Sequence, residues 1–187
     1  MKIAIIGMGY VGIPLAFNLS KNFEVIGYDI DTNKINELKS GNDCIGEYTK
    51  EELNESNIKF TLDSDLIKDA NIFIVCVPTP ITKDKKPDLS YIKSASELLA
   101  KKMNKDSLVI YESTVYPGVT EEVCGKIFES EGFELNKDYY LGYSPERVNP
   151  GDKINKIDKI VKLISCSDKD KLDLMEKIYG SFTKTYK

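Results

Sequence analysis

Gly7, Gly9 and Gly12 stand in the spacing G-x-G-x-x-G, directly behind the apolar run KIAIIG (2–7) and at the start of a helical pattern over 11–21. Between a strand and a helix, that spacing makes a phosphate cradle. Gly7 allows a tight turn, Gly9 lets backbone approach a pyrophosphate, and Gly12 lets the helix lie close on the strand. A pyrophosphate there meets unpaired N–H groups and the positive end of the helix dipole. Asp29 closes the second apolar run 22 residues after Gly7, where a carboxylate accepts hydrogen bonds from the ribose hydroxyls of an adenosine. A 2′-phosphate beside it would meet repulsion of roughly 4 kcal/mol per unit charge at about 4 Å. The pattern therefore selects NAD over NADP. FAD binding shares the glycine spacing, and a plain turn followed by a strand-ending aspartate is the bland alternative.

Three further places could do chemistry. Thr79, in CVPTP, and Thr114, in ESTVYPG, each follow an apolar run, which puts them at the carboxyl ends of strands, where open α/β sheets bind ligands. Each is also readable as a local residue, Thr79 in a Pro-flanked turn and Thr114 with its hydroxyl on nearby backbone. The loop YSPERVNPGDK (143–153) brings Glu146, Arg147 and Asn149 together behind another apolar run. Arg147 reads equally as an ion-pair partner of Glu146. The chain has no histidine, which removes the commonest general base and every Ser/His or Cys/His pair.

The elements that must position these residues follow from periodicity. Short Ile- and Val-rich runs at 2–7, 23–29, 71–77, 107–114, 139–144 and 159–166 read as strands buried on both faces of a parallel sheet. Helical patterns fall at about 11–21, 32–40, 90–102, 119–131 and 168–179. In the fourth, Thr120 precedes Glu121 and Glu122, which suit the positive end of a helix dipole. This alternation predicts an α/β fold, a Rossmann-like doubly wound, mostly parallel sheet with helices on both faces, as one domain over 1–187. The charged TKDKKPD segment (82–88) reads as a mobile loop.

Bulk properties exclude several classes. A chain of 187 residues can bury roughly 70% of its unfolded surface without disulfides. The net charge of −4 with dispersed signs leaves no basic stripe for nucleic acid. Cys44, Cys76, Cys124 and Cys166 show no CxxC spacing, so neither a metal site nor a disulfide framework is expected. No run approaches the roughly 20 apolar residues of a membrane span. A soluble protein of the reducing cytoplasm fits these features.

With IIGMGYVGIPLA, CVPTP, PDLSYI (87–92), ESTVYPGVTEE and YSPERVNPG in this order, the sequence resembles the UDP-glucose/GDP-mannose dehydrogenase family over essentially its whole length. It is similar in motif style to the UDP-N-acetylglucosamine/galactosamine 6-dehydrogenases, where ESTVYPG and SPERVNPG replace the KSTVPVG and PEFLxEG styles. The resemblance implies oxidation of the C6 alcohol of a nucleotide sugar to a carboxylate with two NAD⁺, a cysteine holding the intermediate, and a homo-oligomeric full-length form. It places Tyr10 and Val11 against the cofactor with the glycine loop, Asp29 on the ribose and Lys34 near the adenosine, although Lys34 alone is equally a solvated helix lysine. Thr79, Thr114 and Glu146 become cofactor contacts. Thr114 and Glu146 become catalytic: Thr114 positions a water or the reacting sugar oxygen, and Glu146 assists water activation. Tyr143, Ser144, Pro145, Glu146, Arg147 and Asn149 would face the UDP-sugar.

The family's nucleophile belongs to a Gly-rich GxCxxKD-like motif in a second domain, and that motif is absent from this sequence. The four cysteines present read as small hydrophobes. The expectation is therefore an NAD-binding domain that holds cofactor without turning over sugar alone. The competing readings are an NAD(H)-sensing regulatory module and a β-hydroxyacid-type dehydrogenase domain.

Overall fold

Successive residues of the central strands bury opposite ways. Ile3 and Ile5 of β1 (Lys2–Ile6) join a core with Ile13, Leu15 and Leu19 of α1 (Gly12–Ser20). Ala4 and Ile6 join a second core with Ile92, Ala95 and Leu99 of α4 (Ser90–Lys102). A period of two with both faces apolar is what a parallel sheet between helical layers requires. Each fully buried Ile or Leu contributes about 1.5–3 kcal/mol. The computed structural model describes residues 1–147 and 157–187, so Asn149 and its neighbours lie outside the described residues.

The sheet runs in the order β3-β2-β1-β4-β5-β6-β8. Its strands are β2 (Glu24–Tyr28), β3 (Ile58–Thr61), β4 (Ile72–Val75), β5 (Ser107–Tyr111), β6 (Tyr139–Tyr143) and β8 (Ser165–Cys166). All neighbours pair in parallel except β6 and β8, which are antiparallel. A short pair, β7 (Lys162–Leu163) with β9 (Thr185–Tyr186), stands apart from the main sheet. The register places Gly27, Ile5, Ile74, Ile110 and Gly142 in one row on the α1 face. The thioethers of Met8 and Met175 occupy the space over its two glycines, so that a Cβ on either would stand within 2.7 Å of sulfur. The expected Rossmann-like fold is observed, with α1, α3 (Lys50–Glu55) and α6 (Lys169–Tyr179) on one face and α4 and α5 (Lys126–Ser130) on the other.

Three expectations change. The run 159–166 is two short strands, because Lys162 turns inward and only Ser165–Cys166 reaches the edge of β6. The segment 119–131 is a π-helical turn (Val119–Gly125) leading into α5. It starts at Gly118, φ +94°, and its widened turn frees the Gly125 carbonyl to accept from Tyr139 Oη at 3.2 Å. Helix α3, the strand β3 and a 3₁₀ turn at Ser64–Asp69 were not anticipated, although Thr49 and Glu52 form a capping box on α3. Segment 82–88 is an exposed turn, closed by an Ile81–Pro87 bridge. No helix among the described residues is long and apolar enough to cross a membrane.

Strand β1 passes into α1 without room to spare. A Cβ added to Gly12 would stand 1.8 Å from the Gly7 carbonyl oxygen, and backbone cannot move aside as a side chain can. Gly12→Ala is therefore expected to destabilise the fold by about 3 kcal/mol, read as a lower urea midpoint with an unchanged denaturant slope.

Candidate functional site

The turn after β1 is fixed from both sides. Gly7, φ +101°, donates its N–H to Tyr28 O at 2.8 Å, and a Cβ on it would meet the Cys76 carbonyl at 3.0 Å. Gly9 differs, since a Cβ there would have no atom within 4 Å; its surface faces open space. Helix α1 follows with Val11 at its N-cap, no side-chain cap and no acidic residue in the first turn. Helices α2 (Thr32–Lys39), α3 and α6 are capped by Asp31, Thr49 and Asp168. Only α1 of these four presents its N–H groups and positive end uncapped to the cleft, the arrangement that takes an anion.

Asp29 lies just beyond β2 and is 8% exposed. Its Oδ2 accepts from Met8 N–H (2.8 Å) and Lys34 Nζ (2.8 Å), and its Oδ1 from Asp31 N–H (2.9 Å). Burial pushes its carboxyl upward, but the hydrogen bonds from Lys34 and the two N–H groups outweigh it and hold the group below its ordinary range. Two hollows meet here. One, about 750 Å³, lies between Asp29, Ile30 and the α4 residues Tyr91, Ser94 and Leu98. The other, about 500 Å³, runs past Gly9, Tyr10 and Val11 to Thr79, Thr114 and Glu146. They share Gly7, Asp29, Lys34, Val77 and Pro78 and form one groove over the carboxyl ends of the strands, at the point where the strand order reverses.

The far end of this groove is tied together by hydroxyls. Thr79 Oγ1 donates to Thr114 O at 2.7 Å, and Ser113 Oγ to Val77 O at 2.6 Å. Glu112 and Glu146 line it, with Cys76 beside them. Below the surface, Lys162 Nζ is bonded to Glu112 Oε2 and stands 3.7 Å from Glu146 Oε2, while Tyr179 Oη donates to Glu112 Oε1 at 2.5 Å. The Lys162 and Glu112 side chains are 1% and 0% exposed. Burial pushes the Glu112 carboxyl upward against the pull of Lys162 and Tyr179, while at Lys162 the Glu112 and Glu146 carboxylates outweigh burial and hold the lysine above its ordinary range.

The loop after β6 is placed less uniformly than its residue types suggest. Glu146 reaches the groove. Tyr143 lines a small hollow of about 170 Å³ with Thr120 and Cys166, away from the groove. Ser144 is fully buried, and its Oγ has no hydrogen-bond partner among the described residues. Pro145 is half-buried. The Arg147 N–H donates to Glu146 Oε1 at 2.7 Å, while its guanidinium reaches Val161 O at 3.3 Å. Lys162 is a cation near Glu146 among the described residues, and the Arg147 guanidinium, which sequence left equally readable as its ion-pair partner, reaches Val161 instead.

Burial pushes all four thiols up, that of Cys76 well above its ordinary range, so none is disposed to be a thiolate nucleophile. Among the described residues no three His, Cys, Asp or Glu side chains converge as a metal site. Sequence reasoning missed Glu112, Lys162 and Tyr179. The available signal for the first two was a carboxylate directly behind the apolar run SLVIY and a lysine inside the apolar stretch IVKLI.

Comparison with known proteins agrees with this geometry. Residues 1–183 match the UDP-glucose/GDP-mannose dehydrogenase family, NAD binding domain. The UDP-N-acetyl-D-glucosamine 6-dehydrogenase of Salmonella typhi is 46% identical over 191 residues, spanning 100% of this chain and 45% of that protein. The enzyme of the same name from Pseudomonas aeruginosa is 44% identical over 181 residues, 96% and 43% of the two chains. The solved structure of a UDP-D-ManNAc dehydrogenase from Pyrococcus horikoshii superposes with TM-score 0.91 at 34% identity, over 100% of this chain and 46% of that one. The chain thus spans less than half the length of the relatives it matches. With the glycine turn, the uncapped helix and Asp29 in the places such a domain requires, the chain belongs to the UDP-glucose/GDP-mannose dehydrogenase family and forms its NAD-binding domain.

Proposed function

We propose that this domain seats NAD⁺ for a dehydrogenase that oxidises the C6 alcohol of a UDP-N-acetylhexosamine, of the N-acetylglucosamine type, to the carboxylate. The observation that carries the reading is the single groove joining Asp29, the uncapped end of α1 and Glu146. The residues fit the cofactor. The surface of Gly9 is open where a pyrophosphate would lie, and Gly7, Tyr10, Val11 and Gly12 surround it. Asp29, with Lys34, would take the adenosine ribose, and the exposed Ile30 and Tyr91, which line the same hollow, would offer apolar surface to the base.

When bound, NAD⁺ supplies the hydride acceptor. Thr79 and Thr114 orient its nicotinamide end, and Glu146 accepts a proton from water there. Among the described loop residues Glu146 is the one on the groove. Alcohol to carboxylate removes two hydrides, hence two NAD⁺ per sugar. With every thiol pushed up, the covalent step needs a nucleophile from outside these residues, and the chain alone is expected to make no NADH from UDP-N-acetylglucosamine.

Thermal unfolding with added nucleotides tests the seat. NAD⁺ at 100 times its Kd should stabilise the chain by about 2.7 kcal/mol, and NADP⁺ at the same concentration by much less. Asp29→Ala should narrow the gap between the two, and Gly9→Ala should weaken NAD⁺ binding while leaving the ligand-free melting temperature unchanged. An absence of any shift with NAD⁺ refutes the proposal.

Asp29 also has a ligand-free signature. Its folded-state pKa is depressed, so its stabilisation is complete above the unfolded carboxyl value near 3.8 and is lost as pH falls through the folded value. Asp29→Asn should therefore lose less stability than the wild type on acidification below about pH 4, measured by denaturant titration across that range.

A further inference from the structure

The buried charges behind the groove exceed what the fold needs. Withdrawing an ammonium and a carboxylate from water costs several kcal/mol per ion, and a well-packed apolar pair is often as stable or more so. Yet Lys162 and Glu112 are both out of contact with water. Glu112 is held rigidly: its N–H donates to Val75 O at 2.9 Å, and both its carboxylate oxygens are taken, one by Tyr179 and one by Lys162. Lys162 is held from behind. Its N–H donates to Lys184 O at 2.9 Å within the β7–β9 pair, and its ammonium lies 5.7 Å from the centre of the Tyr179 ring.

An ammonium has three protons to direct, and the second carboxylate it faces is Glu146, at 3.7 Å. The two carboxylates line the groove; the lysine between them does not. At the opposite end, Asp29 and Lys34 compensate each other. Among the described residues, the two carboxylates and Lys162 thus leave the far end one net negative charge, with Lys162 beside it.

We propose that Lys162, clamped by Glu112 and Tyr179, is a positioning residue that holds the Glu146 carboxylate against the nicotinamide end of the cofactor. This rests on the NAD-binding reading above. The oxidised ring is positive and the reduced ring neutral, so a carboxylate set in place there acts on NAD⁺ binding and much less on NADH binding. ADP-ribose, which has the adenosine and pyrophosphate but no nicotinamide, does not sense it.

The test is calorimetric titration of the 187-residue chain with NAD⁺, NADH and ADP-ribose. The variants are E112L/K162M, which removes the ion pair without orphaning either charge, E146Q, and the triple combination. The double variant should melt near the wild-type temperature and bind ADP-ribose within about twofold of wild type, yet lose about tenfold in NAD⁺ affinity. E146Q should show the same loss, and the triple variant no more than either, since the changes act through one group. A double variant with the wild-type ratio of NAD⁺ to ADP-ribose affinity, or losses that simply add, overturns the proposal.

If the double variant does not fold, E112Q carries the test. It keeps the volume and the lysine, leaves the ammonium to Glu146 alone, and should lower NAD⁺ relative to ADP-ribose and NADH; an unchanged ratio sinks the idea. A wild-type chain that binds neither ADP-ribose nor NAD⁺ refutes the cofactor reading itself and this inference with it.

Discussion

The contact between Gly12 and the Gly7 carbonyl sets where everything else can be. With only 1.8 Å available to a Cβ, α1 starts directly on the turn that ends β1, and its first N–H groups fall beside the carboxyl ends of β1 and β4. Ile13, Leu15, Ala16 and Leu19 then bury completely against the sheet. The helix gives up a side-chain cap, roughly 1 kcal/mol of stability, and keeps its positive end open. A helix anchored by packing can forgo local stabilisation at its terminus, and a ligand can use what is left unpaired.

The two ends of the groove are closed by different means. At the Asp29 end the side-chain partner is local: Lys34 is five residues away and the Asp31 N–H two, while the Met8 N–H comes from farther, 21 residues back. That cluster assembles once β2 runs into α2 beside the turn after β1. At the other end Glu112 meets Lys162 across 50 residues and Tyr179 across 67. Helix α6 and the β7–β9 pair, which stands apart from the main sheet, bring the back wall of the groove to Glu112. Removing the β7–β9 pair would leave the buried Glu112 carboxylate without its counter-charge, a loss of about 3–5 kcal/mol, and removing α6 would take away the Tyr179 hydroxyl that it accepts from.

This difference explains what could be read in advance. Gly7, Gly9, Gly12 and Asp29 act through short spacings, and the apolar runs at 2–7, 71–77 and 107–114 are long enough to show two-faced burial. Sequence therefore reveals the sheet, α1 and the adenosine end. The Glu112–Lys162–Tyr179 cluster rests on long-range folding, and its members look individually like a strand-end carboxylate, a surface lysine and a core tyrosine. The run 159–166 misled for the same reason, since its apolar pattern hides one inward lysine that takes the chain off the sheet. Arg147 stayed open in sequence through proximity: adjacent to Glu146, it offers that carboxylate its backbone N–H and sends its guanidinium to Val161. Helix α3 was legible in principle from T-x-x-E, but its single buried residue, Leu53, gave no apolar period to notice.

Rigidity at the far end follows from how its floor is bonded. Ser113 and Thr79 stitch the loops after β4 and β5 to each other, and Glu112 is fixed to Val75 through its backbone. A carboxylate carried on such a floor does not have to be ordered when a positive ring arrives, so its electrostatic effect is not spent on reorganisation. Ordering a free glutamate would cost up to about 2 kcal/mol in side-chain entropy, comparable to the attraction expected of one partly solvated charge. A buried ion pair that is poor value for stability becomes intelligible on those terms, because what Lys162 and Glu112 contribute is the placement of a third charge.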